Sequence, residues 1–210
     1  MKTEAELKRH LGLLRRRDKD FARAIKLAGI PGTRLMKPGF ETLIRIIVDQ
    51  QVSVAAGAAI WAKLRRAAGG TVTAPRILAL GEKGVRAAGM SGQKTAYTLG
   101  LAEATSSRRL NFAALARAGD DEVRETLIAH KGVGAWTADI YLMFGMGRPD
   151  IWPVGDLGLQ YGVQMLRGLK DRPTPKDMES IAESWRPYRS SAAVFLWHFY
   201  EGDRARARNA

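Results

Sequence analysis

Between two apolar-periodic segments stands the stretch Leu127-Ile128-Ala129-His130-Lys131-Gly132-Val133-Gly134-Ala135-Trp136-Thr137-Ala138. Two glycines one residue apart permit a tight turn with positive φ angles, and bare backbone lets the turn's N–H groups approach an anion closely. The helix that follows adds its free N–H donors and positive dipole end at the same place. The expected phosphate ligands are Lys131 and the backbone of Gly132, Val133, Gly134 and Ala135. Gly-x-Gly alone also fits an ordinary corner between helices; the full pattern, ending in a helix that opens Trp-Thr-Ala, is more specific. A second turn into a helix, Gly89-Met90-Ser91-Gly92-Gln93-Lys94, offers similar chemistry, with Ser91 as cap and Lys94 as cation.

Asp156 follows Pro153-Val154-Gly155 and precedes the apolar-periodic run from Leu157, which makes it an N-cap. Capping alone satisfies this spacing. It is also compatible with chemistry, because a helix N-terminus favours the carboxylate form and keeps a negative charge available when the group is partly buried.

These residues require helices to position them. Periodicity predicts helices over 4–16, 18–28 with Asp18 as N-cap, 40–48, and 53–68 with Ser53 as N-cap. Short helices follow at 75–80 and 82–88, then others over 93–105, 120–129, 135–146, 157–168, 175–185 and 188–200. Thr71-Val72-Thr73 is too short to support a sheet. The expectation is a compact all-α protein of two lobes. In 210 residues and 23.1 kDa, 46% of them hydrophobic, there is material for one large domain or two small ones.

The net charge of +13 exceeds what solubility requires. Residues 1–35 hold ten basic against four acidic side chains, and the tail adds Arg204, Arg206 and Arg208 against Asp203. Nucleic acid is the partner such a balance favours. With no cysteine, disulfides, thiolate catalysis and cysteine-ligated clusters are excluded. His10, His130 and His198 show no metal-ligand spacing. No apolar run reaches the roughly 20 residues of a membrane span, and the charged start MKTEAELKRH is unlike a signal peptide, so a cytoplasmic protein is expected.

The hairpin, followed by the Gly/Pro-rich loop Arg148-Pro149-Asp150-Ile151-Trp152-Pro153-Val154-Gly155 and Asp156, resembles the helix-hairpin-helix DNA glycosylases. Trp136-Thr-Ala-Asp-Ile-Tyr-Leu-Met-Phe, Phe40-Glu-Thr-Leu-Ile-Arg-Ile-Ile-Val-Asp-Gln-Gln-Val-Ser and Trp185-Arg-Pro-Tyr-Arg-Ser are similar to the 3-methyladenine DNA glycosylase II branch, in a short form without that branch's N-terminal β-rich domain. The resemblance covers roughly residues 38–201.

It implies a two-lobed helical fold with the active-site cleft between lobes. One lobe is expected over about 40–115 with the hairpin 120–146 and the loop 147–156; residues 1–35 and 157–210 form the other. The implied activity is base excision from duplex DNA carrying alkylated bases such as 3-methyladenine and 7-methylguanine, by a monomer. Asp156 is the implied catalytic group, stabilising positive charge on the sugar and orienting water. Trp136 and Trp197 are the implied base pocket, with Tyr141 and Phe144 either there or in the core. Gln51 is the implied wedge that fills the emptied base stack, although its position also fits a plain polar turn between helices; Gln50 beside it faces the pocket or the opposite strand. Members that cleave the strand place a lysine where Trp136 stands, so a monofunctional enzyme is implied. Ile140 replaces a tyrosine of a known branch, which makes the pocket less aromatic. No cofactor is required; a monovalent cation, Na⁺ or K⁺, on hairpin carbonyls fits the resemblance. A glycosylase for deaminated or other charged lesions and a non-catalytic DNA-binding module are the alternative expectations.

Overall fold

The computed structural model describes residues 1–33 and 35–209, with side chains described as far as Asp203; Arg204, Arg206 and Arg208 of the basic tail lie outside the described side chains. The chain starts with α1 (Glu4–Arg17) and α2 (Lys19–Ala28). Then come α3 (Phe40–Asp49), α4 (Val54–Ala67), α5 (Ala74–Ala87), α6 (Gly92–Ser106), α7 (Phe112–Leu115), α8 (Asp120–Ile128) and α9 (Ala135–Ile140), which runs on into a π-helical turn, Tyr141–Gly145. Last are α10 (Leu157–Arg167), α11 (Pro175–Glu183) and α12 (Arg189–Asn209). No strand occurs among the described residues. The helices divide into two compact units, Met1–Leu35 with Gly147–Ala210, and Met36–Met146.

In the first unit α1 buries Leu7, Leu11 and Leu14, the i, i+4, i+7 stripe of an amphipathic helix. Asp18 caps α2, accepting the N–H groups of Asp20 and Phe21. The same carboxylate accepts Trp185 Nε1–H at 2.9 Å and pairs with Arg167 at 2.7 Å. Burial alone would raise its pKa, but the Trp185 N–H and the Arg167 guanidinium outweigh that and hold it below the usual carboxylate range. Trp185, fully buried, meets Phe21 and Trp152 edge-on. Helix α10 approaches α12 closely because of two glycines. A Cβ on Gly162 would lie 2.8 Å from the Leu196 carbonyl oxygen, and one on Gly158 would lie 3.2 Å from the Trp197 ring.

The loop 147–156, expected with the hairpin lobe, belongs instead to the first unit. Its polar groups are satisfied there: Ile151 N–H donates to Ser190 Oγ at 2.9 Å, Trp152 Nε1–H to the Met178 carbonyl at 3.0 Å, and Asp150 pairs with Arg189 at 2.9 Å.

In the second unit Ser53 and Ser91 cap α4 and α6 as their sequence positions predict. Helix α5 breaks at Gly81, where φ is 61°, so it holds two short helices. The expected helix over 135–146 changes winding at Tyr141, where Met146 N–H reaches back five residues to the Tyr141 carbonyl. The four residues of α7, capped by Asn111, are too few to show a period and were legible only in three dimensions.

Candidate active site

The Pro153–Gly155 turn delivers Asp156 to the start of α10, where Oδ1 accepts Leu159 N–H at 2.8 Å. The same oxygen accepts Trp197 Nε1–H, also at 2.8 Å. Two donors from different helices converge on one oxygen, which fixes the orientation of the carboxylate at the positive end of the helix dipole. Both side chains are half-buried. Gly158 makes the convergence possible, since a Cβ there would press on both the Asp156 carboxylate and the indole, each 3.2 Å away.

At the hairpin only Gly132 takes the positive φ expected of both glycines, at 90°. A Cβ on Gly132 would lie 2.3 Å from Tyr97 Cγ, so the turn needs glycine for its conformation and for the Tyr97 ring packed against it. Gly134 has φ −95° and serves as the N-cap of α9, with no side-chain cap and nothing within 4 Å of an added Cβ. A side chain there would therefore meet no protein atom. Lys131, Gly134 and Ala135 are exposed on this turn.

Val133 does not fit the phosphate role expected of it. Its N–H is donated to the His130 carbonyl and its side chain is buried, so it anchors the turn. The Gln50 amide donates to the Gly132 carbonyl at 3.2 Å and to Thr137 Oγ1 at 2.8 Å. A monovalent cation on the hairpin would find backbone oxygens of the right class, though those of His130 and Gly132 are already engaged within the protein. From behind, Asp139 on α9 is 8% exposed and pairs with Arg124 on α8 at 2.9 Å.

Between α3 and α4 the chain passes through Gln51, an exposed non-glycine residue at φ 52°. A left-handed conformation at such a residue costs on the order of 1 kcal/mol and persists only where its surroundings impose it. Gln50, expected beside Gln51 as part of the wedge, is instead a brace, because both bonds of its amide run to the hairpin. Lys94 is not placed as a phosphate ligand either. Its Nζ donates to the carbonyls of Val48 at 2.8 Å and Gln50 at 2.5 Å, where a cation meets the negative end of α3. Ser91 lies exposed on the first turn of α6, its Oγ accepting Lys94 N–H at 3.3 Å.

Residues 44–187, more than half the chain, match the HhH-GPD superfamily of base excision DNA repair proteins. The chain belongs to this superfamily. A Schizosaccharomyces pombe superfamily relative, DNA-3-methyladenine glycosylase 1, is 32% identical over 201 residues, 93% of this chain and 86% of that protein. The Bacillus subtilis putative DNA-3-methyladenine glycosylase YfjP is 33% identical over 111 residues, 53% of this chain; the match spans 39% of YfjP's own length. Among solved structures, S. pombe 3-methyladenine DNA glycosylase (Mag1) in complex with abasic DNA superposes with a TM-score of 0.82 at 30% identity, covering 91% of this chain and 95% of that one.

Of the superfamily residues expected from the sequence, Asp156 and Trp197 meet in the first unit, while the hairpin, Gln50, Gln51 and the half-buried Trp136 lie in the second. Tyr141 is no pocket wall. It is 1% exposed, its ring lies 6.0 Å from that of Phe112, and its hydroxyl accepts Gly39 N–H at 2.9 Å. Burial pushes its pKa up to about 12. Phe144 and Ile140 are buried as well. Sequence reasoning missed the Trp197 N–H on Asp156, the Tyr97 ring under the hairpin and the Arg124–Asp139 pair. The one local signal for the first was Gly158-x-x-x-Gly162, two glycines on one face of α10.

Proposed function

We propose that this chain is a monofunctional DNA glycosylase that removes alkylated purines, 3-methyladenine and 7-methylguanine among them, from duplex DNA in base excision repair. The observation that carries the reading is the Asp156 carboxylate, fixed through Oδ1 by Leu159 and Trp197. Membership of a base excision repair superfamily supports it, as does the S. pombe relative whose name is DNA-3-methyladenine glycosylase and whose structure was solved with abasic DNA.

The chemistry follows from charge. As the bond between sugar C1′ and the base nitrogen breaks, the electron pair leaves with the base and positive charge develops on the sugar. A preorganised anion beside that sugar lowers the barrier. Water then adds at C1′ and loses a proton, leaving free base and an intact abasic site. An N-alkylated purine is cationic and leaves as a neutral base, and an indole such as Trp136 is a good stacking surface for it.

Extraction from the duplex costs a few kcal/mol, and Gln51 is the side chain offered to fill the gap. Lys131 and the backbone of Gly132, Gly134 and Ala135, with Ser91 at the second turn, are the proposed phosphate contacts. The protein is taken to act as a cytoplasmic monomer.

Base release from a panel of duplexes carrying methylated and deaminated bases tests the reading. Release of 3-methyladenine and 7-methylguanine is the expected result, and DNA binding without release of any base would refute it. Borohydride is expected to trap no covalent DNA adduct, since Trp136 cannot form a Schiff base; a robust adduct on a gel would overturn the monofunctional assignment. Trp197→Phe keeps a ring against Gly158 and deletes the N–H on Asp156. Release is expected to fall about 10-fold or more with DNA affinity unchanged, which single-turnover kinetics and anisotropy titration read separately.

A further inference from the structure

We propose that Lys94 is a positioning residue for Gln51, clamping the turn that holds this wedge out in its left-handed conformation. The inference rests on the glycosylase reading for what Gln51 does, and on geometry for how Lys94 acts. The ammonium spans two carbonyls, Val48 and Gln50, on either side of Asp49 and immediately before Gln51. The two residues before Gln51 are tied down. Asp49 pairs with Arg45 at 2.8 Å and lies against Gly57, where a Cβ would come within 2.3 Å of Oδ1. The Gln50 side chain is bonded to the hairpin and its N–H to the Ile47 carbonyl. Gln51 makes no hydrogen bond among the described residues and sits at φ 52°, a conformation that local preference does not supply.

The clamp is placed to do this and little else. A lysine that has given Nζ to two main-chain oxygens of its own protein is poorly placed to neutralise a phosphate. Burial draws its pKa below the ordinary lysine value, while the Asp49 carboxylate works in the opposite direction. The 250 Å³ cavity beside it is lined by Gln50, Gln51, Val52, Ser91 and Lys94, so the wedge turn borders open space on the side where the clamp sits. A wedge acts through the free energy it contributes to keeping the base out of the stack. Its preset conformation lowers the entropy cost of entering the duplex.

Lys94→Met keeps the length of the side chain and deletes the clamp; Lys94→Arg can still donate to both carbonyls. In Lys94→Met, amide exchange at Gln50 is expected to rise, a readout independent of any enzymatic activity. Release of a methylated base from duplex DNA is expected to fall roughly 10-fold, as for other misplacements of a positioning group, and Lys94→Arg is expected to recover most of it. On single-stranded substrate, where no stack has to be refilled, wild type and Lys94→Met are expected to agree within about twofold.

Gln51→Ala combined with Lys94→Met is expected to be no worse than Gln51→Ala alone, because the clamp works through that side chain. The slope of log affinity against log salt is expected to stay unchanged in Lys94→Met, whereas Lys131→Met is expected to reduce it by about 0.9. A drop of that size for Lys94→Met would make it a phosphate ligand and overturn the proposal. So would unchanged Gln50 exchange, equal losses on single and double strands, or multiplied losses in the double variant. A wild-type protein inert on every lesion would defeat the glycosylase reading, while the exchange measurement would still decide the clamp.

Discussion

Asp156→Asn is expected to cut base release about 10³-fold while DNA affinity stays within about twofold. The substitution is clean because asparagine is as good an N-cap as aspartate. Its carbonyl oxygen can still accept Leu159 N–H and Trp197 Nε1–H, so α10 and the approach of α12 survive and only the negative charge is lost. Loss of an anion from a protein of net charge +13 gives no reason for weaker DNA binding. Single-turnover release on a 3-methyladenine duplex, with affinity by anisotropy and folding by thermal melt, separates the effects. A loss under about 10-fold would reduce Asp156 to a helix cap, because an electrostatic stabiliser of a sugar cation cannot be neutralised that cheaply.

Gly132→Ala is expected to destabilise the protein by about 2–4 kcal/mol and to abolish measurable DNA binding near physiological salt. Two penalties coincide at this residue. Its φ of 90° is unfavourable for any residue with a Cβ, and the added carbon would lie 2.3 Å from Tyr97 Cγ. Tyr97 has little room to retreat, since the added carbon would also lie 2.7 Å from its Cβ, which the helix backbone holds in place. Tyr97→Ala introduced alongside Gly132→Ala removes the ring but keeps a Cβ that would lie 2.7 Å from the added carbon, so it should return only part of the steric loss and none of the conformational part. Gly134→Ala provides the contrast. Its φ of −95° and empty surroundings predict an unchanged melting temperature, with weaker DNA binding because the methyl group occupies the anion's approach. If both variants melt alike, the distinction between a turn glycine and an approach glycine is wrong.

Much of the scaffold was legible from the sequence because it depends on neighbours along the chain. Asp18, Ser53, Ser91 and Asp156 each cap the helix that begins beside them, and Gly81 breaks α5 where it stands. The all-helical class, the tight turn at Gly132 and the carboxylate at the head of α10 follow from such short-range rules. The misassignments have a common origin. Lys94, Gln50 and Tyr141 carry residue types suited to a binding site, yet their polar atoms find partners inside the protein: Lys94 on carbonyls 44 and 46 residues away, Gln50 on a threonine 87 residues away, Tyr141 on an amide 102 residues away. Residue type states what a group can bond to, and only packing states what it does bond to.

By itself, then, the sequence determined every helix but α7, the caps at Asp18, Ser53, Ser91 and Asp156, the hairpin turn, the basic charge and the presence of a carboxylate at a helix N-terminus. Those features are set by backbone preference and hydrogen bonds spanning a few residues. The tertiary structure alone decided which side chains surround them. Trp197 reaches Asp156 across 41 residues because Gly158 and Gly162 let α12 settle against α10. Gln51 is presented at a positive φ just after two carbonyls, those of Val48 and Gln50, that are gripped by a lysine from another helix. Such pairings depend on the summed packing of whole helices, a free energy that no local stretch of sequence contains.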